Sequence, residues 1–210
     1  MIKNIVFDMG RVLISYDIDE IIASVGITSP DEVQIIKDVI FSSREWQEYD
    51  RGTVNKTVYF WLIDTLPELL RERAIDMLFR TNLVESFMPA RPDICEIARE
   101  LKQNGYSLWL LSNAGHDFHT YSRGVPALQY FDGCFVSSDY QLLKPEPQIY
   151  SKFFEVFKLK PEECIFIDDM PANCEGAEAQ NMRALCFNNS FQSAQDLRRM
   201  LSDAGIKISL

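Results

Sequence analysis

Hydrophobic residues along the chain follow two contrasting patterns. Five short runs are continuously apolar: Ile5-Val6-Phe7, Leu108-Trp109-Leu110-Leu111, Cys134-Phe135-Val136, Cys164-Ile165-Phe166-Ile167 and Ala184-Leu185-Cys186-Phe187. Runs this short, without polar alternation, predict strands of a parallel sheet covered on both faces. Between them lie the helix-like stretches Pro92 to Lys102, Pro147 to Phe157, Pro171 to Gln180 and Ser193 to Leu201. Three of these open on a proline, where a missing N–H costs little. Strand and helix in alternation predict an α/β architecture, a doubly wound parallel sheet with crossover helices.

Residues 16–88 break the alternation. Ile18, Ile21, Ile22 and Val25 fall at i, i+3, i+4 and i+7, which marks one face of a helix. Ser29-Pro30-Asp31-Glu32 offers an N-cap, a first-turn proline and a capping-box glutamate for the next helix. Val58, Trp61 and Leu62 continue the helical spacing, as do Leu70, Ala74, Met77 and Leu78. The segment reads as a helical cap (16–88) inserted directly after the first strand, and Phe87 to Pro92 leads the chain back. The sheet domain is then assembled from residues 1–15 and 89–210.

Composition narrows the class of partner. Of 210 residues 47% are hydrophobic, and 31 acidic against 21 basic residues give a formal charge of −10. That balance repels a polyanion, so nucleic acid is not an expected partner. No apolar run approaches the ~18 residues of a membrane span, and no signal peptide is visible at the N-terminus. The expectation is a soluble cytoplasmic protein, monomeric or homodimeric. Five cysteines without a C-x-x-C pair fit a reducing compartment, with Cys134, Cys164 and Cys186 packed as small hydrophobes.

Ligands of open α/β sheets bind beyond the carboxyl ends of the strands. Asp8 follows the first run, Ser112-Asn113 the second, Lys144-Pro145 the third and Asp168-Asp169 the fourth. An acid, a hydroxyl, an ammonium and an acid pair therefore converge on one edge of the sheet. Each has an ordinary reading as a turn cap or solvated side chain, but four such groups at four successive strand ends point to a site.

That order resembles the haloacid dehalogenase-like superfamily of hydrolases and phosphotransferases, which has a Rossmann-like core with a helical cap after the first motif. Asp8-Met9-Gly10-Arg11-Val12 and Phe166-Ile167-Asp168-Asp169-Met170-Pro171-Ala172-Asn173 look like the subgroup of sugar-phosphate phosphatases that includes an α-D-glucose-1-phosphate phosphatase. The resemblance implies an Mg²⁺-dependent phosphatase of a small phosphorylated metabolite, a sugar phosphate and specifically a sugar 1-phosphate. Asp8 would be the nucleophile, forming an aspartyl-phosphate that water hydrolyses. Asp8, Asp169 and the Gly10 carbonyl would hold the metal, Lys144 would balance the charge of Asp8 and phosphate, and Ser112 with the Asn113 backbone N–H would bind phosphate oxygens. Asp168 would orient Lys144 or a metal water.

Gly10 departs from the commoner family pattern, in which an aspartate two residues after the nucleophile protonates the leaving alcohol. Without it, a leaving group that tolerates negative charge is favoured, such as the anomeric oxygen of a sugar 1-phosphate. His116, just beyond the Ser112 motif, is the replacement donor the sequence offers. His116 with His119 as a metal pair lacks the further ligands of zinc geometry. Arg11 is a second candidate substrate contact, and Arg44, Trp46 and Tyr49, ahead of Gly52, suggest a substrate-facing loop, with Trp46 also suited to the cap core. Two rival functions share the motif set. A 2-haloacid dehalogenase also uses an Asp nucleophile but needs neither metal nor donor, and a catalytically weak regulatory protein would bind phosphorylated ligands without turnover.

Overall fold

The computed structural model describes residues 1–80 and 88–210. The five apolar runs form the strands β1 (Asn4–Phe7), β2 (Ser107–Ser112), β3 (Gly133–Val136), β4 (Cys164–Asp168) and β5 (Arg183–Cys186). They pair in parallel in the order β3-β2-β1-β4-β5. Strand order reverses at β1, the switch point where such sheets open a crevice.

Side-chain alternation explains why the runs are apolar throughout. Ile5 and Phe7 of β1 face one side, where Ile94, Ile97 and Leu101 of the Pro92–Gln103 helix and Leu197 and Leu201 of the Ala194–Asp203 helix bury them. Val6 faces the other side, against Ile149 and Phe153 of the Pro147–Phe157 helix and Ala177 of the Pro171–Ala179 helix. A strand flanked by helices on both faces has no solvent side for polar residues. Edge positions differ: Cys134 and Cys186 are exposed, contrary to their expected burial, whereas Cys164 in the interior is buried.

Between β1 and β2 the chain forms α1 (Ile18–Ser24), α2 (Pro30–Ile36), α3 (Arg44–Arg51), α4 (Val58–Thr65) and α5 (Glu68–Ile75), with π-helical turns at Lys37–Phe41 and Asp76–Arg80. They enclose a hydrophobic cluster of their own, containing Ile21, Ile22, Ile36, Ile40, Ile63, Leu70, Ala74 and Met77. Two local expectations differ. The Ser29 side chain makes no cap bond, so α2 starts on Pro30 alone. Trp61 is 78% exposed, because α4 buries Tyr59 and Ile63 on the opposite face. The expected return from Phe87 begins outside the described residues. From Met88 onward the chain runs beside its own departure, with an antiparallel bridge between Ile14 and Ala90 and a bond from the Ser15 N–H to the Pro89 carbonyl of 2.9 Å.

Four contacts fix the insert over the carboxyl edge of the sheet. Arg51 forms a two-pronged ion pair with Glu146, at 2.5 and 2.9 Å. The Ser137 hydroxyl donates to the Asp50 carbonyl, and Lys56 pairs with Asp117 at 2.9 Å. Gly52, in the left-handed region at φ 82°, lies so close to the Ser137–Tyr140 turn that a Cβ there would stand 2.5 Å from the Ser138 carbonyl. Gly52→Ala is therefore expected to cost about 1–3 kcal/mol of strain, lowering Tm by ~2–4 °C per kcal/mol for a chain of this size. Scanning calorimetry reads this directly, and an unchanged Tm would mean that the close approach is not a constraint.

Candidate active site

The site grows from the ends of three strands. Asp8 leaves β1, Asp168 ends β4, and the loop after β3 turns at Lys144-Pro145, a cis peptide, to send Lys144 back between them. The Lys144 Nζ donates to Asp8 Oδ1 at 2.7 Å and to Asp168 Oδ2 at 2.6 Å. Asn113, just past β2, brackets the loop: its Oδ1 accepts from the Lys144 N–H at 2.9 Å and its Nδ2 donates to the Lys144 carbonyl at 3.0 Å. Asp168 is saturated on its other oxygen by the Met170 N–H at 2.8 Å and Asn173 Nδ2 at 2.9 Å.

Exposure separates the acids by what they can still do. The Asp168 side chain has no accessible surface, whereas those of Asp8 and Asp169 retain 10% and 9%. Asp168 can only hold Lys144 in place, while Asp8 and Asp169 can meet a ligand. Carboxylate oxygens of all three lie within 4.8 Å of one another. Burial, with the repulsion of Asp168, pushes the carboxyls of both Asp8 and Asp169 up, and Lys144 opposes the rise at each. Lys144 is held charged by Asp168 and Asp8 against its own desolvation. Arg11 approaches Asp169 at 3.6 Å, but its Nε–H is committed to the Tyr16 carbonyl at 3.0 Å. Three acids around one buried ammonium and one loosely placed guanidinium leave a charge deficit that suits a cation.

Above this floor lies a cavity of about 990 Å³. Gly10, Ser112 and Asn113 line it from below, and Tyr16, Trp46, Tyr49, Asp50 and Tyr59 from the insert. Ser112 is buried at the end of β2, as its sequence position suggests. Trp46 packs on the insert's core and also lines the cavity. The expected substrate-facing loop is instead the helix α3, stopped at Gly52. Arg44 lies on its exposed side, 3.9 Å from Glu48, and is not a cavity residue. His116 is exposed and does not line the cavity. His119 pairs with Asp139 at 2.9 Å, away from any metal geometry with His116.

Sequence reading missed Asp50, Tyr59, Asn173 and the bracketing role of the Asn113 side chain. A signal for Asp50 existed: it stands one helical turn after Trp46, so the two share a face of α3. Burial, followed by the charge of Asp117, pushes the Asp50 carboxyl up to about 7, and hydrogen bonding from the Gly115 backbone N–H and the Trp46 indole opposes this.

Removing the buried cation tests the electrostatic arrangement. Lys144→Met leaves Asp8 and Asp168 facing each other unpaired, which should cost about 3–5 kcal/mol at pH 8. Folded-state carboxyl pKa values raised above their unfolded values make stability fall as pH rises, so the deficit should shrink toward pH 5. Urea unfolding at the two pH values measures this. A pH-independent deficit would contradict the assignment.

Comparison with known proteins agrees with the geometry. The chain is 26% identical to a sesquiterpene phosphatase of Aspergillus oryzae over 205 residues, 95% of this chain and 96% of that one. Its fold superposes on a haloacid dehalogenase family enzyme of Bacteroides thetaiotaomicron, solved with magnesium and inorganic phosphate, with TM-score 0.71 and 21% identity over 94% of this chain and 99% of that one. It also superposes on the L-2-haloacid dehalogenase of Xanthobacter autotrophicus, solved with chloropropionic acid covalently bound, at TM-score 0.63 and 19% identity over 99% and 85% of the two chains. The family model for haloacid dehalogenase-like hydrolases matches residues 2–181, and the chain belongs to that family.

Proposed function

We propose that the protein is an Mg²⁺-dependent phosphatase that hydrolyses a small phosphorylated metabolite through an aspartyl-phosphate on Asp8. The observation that carries this reading is the division of labour among the three acids. One is sealed around Lys144, and two remain accessible with more negative charge than the site neutralises. A dehalogenase expels an anion and has no use for that deficit. A phosphatase among the relatives, and a neighbour solved with magnesium and inorganic phosphate, support the same choice.

The residues divide the chemistry as follows. Asp8 attacks phosphorus as its carboxylate, the form that Lys144 favours against desolvation, and is aimed by Lys144, whose position Asp168 and Asn113 hold. The Ser112 hydroxyl and the Asn113 backbone N–H donate to the phosphate oxygens. Asp8, Asp169 and the Gly10 carbonyl would hold Mg²⁺, which would neutralise the charge between carboxylate and phosphate. That repulsion is about 4 kcal/mol per unit pair at 4 Å and an effective dielectric of 20. The roof combines aromatic faces at Trp46, Tyr49 and Tyr59 with the acids Asp50 and Asp117, which suits a hydroxyl-rich ring and therefore a sugar phosphate. Gly10 places no acid on the floor, so the floor alone favours a sugar 1-phosphate.

A panel of phosphorylated metabolites and 2-haloacids, assayed with Mg²⁺ and with chelator, tests the reading. Phosphate release should require Mg²⁺, and Asp8→Asn should reduce it by about 10⁵-fold or more. Metal-independent halide release would establish a dehalogenase instead. Tight phosphate-ester binding without turnover would establish a regulatory binder.

A further inference from the structure

Among the described residues the floor of the site offers no acid beyond Asp8, Asp168 and Asp169, and neither histidine lines the cavity. The roof holds one. Asp50 lies on α3 with its side chain in the cavity that Gly10, Ser112 and Asn113 line from below. Its backbone carbonyl accepts from Ser137, and the next residue, Arg51, is ion-paired to Glu146, two residues past Lys144. The loop that carries the floor cation therefore also fixes the height of Asp50 above it. Beside Asp50 the Tyr59 hydroxyl is buried in the same cavity, 3% exposed, with no hydrogen-bond partner among the described residues. A buried phenol left unpaired costs ~1–3 kcal/mol, which marks this part of the roof as a place where a polar ligand completes the hydrogen bonding.

We propose that Asp50 is the acid–base residue of the reaction, protonating the leaving oxygen from the roof in place of the floor acid that Gly10 lacks. The proposal rests on the phosphatase reading. In the first half-reaction an Asp8 oxygen bonds to phosphorus and the bond from phosphorus to the ester oxygen breaks. The departing electron pair takes the proton of the Asp50 carboxyl, giving a neutral alcohol and an Asp50 carboxylate. In the second half-reaction that carboxylate takes a proton from water as the water oxygen bonds to phosphorus. The bond from Asp8 to phosphorus breaks, releasing inorganic phosphate and restoring the Asp8 carboxylate and the Asp50 acid. Burial and the neighbouring Asp117 lift the Asp50 carboxyl to about 7, with the charge of Asp8 adding to the rise, so both protonation states are accessible near neutrality. The restriction to easily expelled leaving groups, inferred from Gly10 alone, then disappears.

The test compares Asp50→Asn with the parent, both loaded with Mg²⁺, on glycerol phosphate and para-nitrophenyl phosphate. kcat/KM reads the steps up to loss of the leaving group, and only the alkyl ester needs a proton there. The ratio of alkyl to aryl kcat/KM should fall by ~10²–10⁴-fold in the variant. Because both esters are read on one preparation, the ratio is independent of the fraction folded. An unchanged ratio, whether both rates drop together or neither moves, would overturn the role of Asp50 while leaving the phosphatase reading intact. No Mg²⁺-dependent release from the aryl ester in the parent would overturn both.

Discussion

A lysine ammonium whose side chain is 2% exposed has to be paired, because an unpaired charge there costs several kcal/mol. Lys144 meets that requirement with two carboxylates from two different strands, Asp8 after β1 and Asp168 at the end of β4. The pairing can form only when β1 and β4 lie side by side and the loop after β3 reaches across β2 to them. Sheet order, the position of that loop and the Asn113 bracket are therefore mutually dependent. The same Lys144 contact opposes the desolvation that raises the Asp8 carboxyl, so the element that ties the carboxyl edge of the sheet together also favours the ionised form of Asp8.

The helices between β1 and β2 make a floor into a cavity. They have their own hydrophobic cluster, and what joins them to the sheet domain is largely polar: Arg51 to Glu146, Lys56 to Asp117 and Ser137 to the Asp50 carbonyl. Polar, partly exposed contacts are weaker than core packing, yet they specify register. Here they set which residues of α3 look down: Trp46, Tyr49 and Asp50 do, while Arg44 does not. Part of the cavity roof thus depends on the rotation of one eight-residue helix, stopped by a glycine that no other residue replaces without strain.

The sheet was legible because its central strands are buried on both faces, so their apolar runs have no interruption, as in β1 and β4. The candidate site was legible for a related reason: Asp8, Ser112 and Asp168-Asp169 are polar residues placed where apolar runs stop, and Lys144 lies on the loop that follows the third run. The roof carries no such contrast. Asp50 sits among Glu48 and Arg51 in a helix that is polar nearly throughout, and only its phase relative to Trp46 distinguishes it. Trp61 misled for the same reason, since an aromatic at helical spacing does not by itself say which side of the helix is inward. His116 had the right chemistry and neighbourhood in sequence, but the loop after Ser112 turns it to solvent while Gly115 faces the insert.

The central claim is that Asp8, held between Lys144 and a divalent cation, becomes covalently phosphorylated. Rapid acid quench of the Mg²⁺-loaded protein during turnover, followed by borohydride reduction and peptide mapping by mass spectrometry, tests it most directly. The account predicts a reduced acyl-phosphate at Asp8 and at no other carboxylate. Label at another residue, or phosphate release at full rate with Asp8 unmodified throughout the pre-steady state, would contradict it.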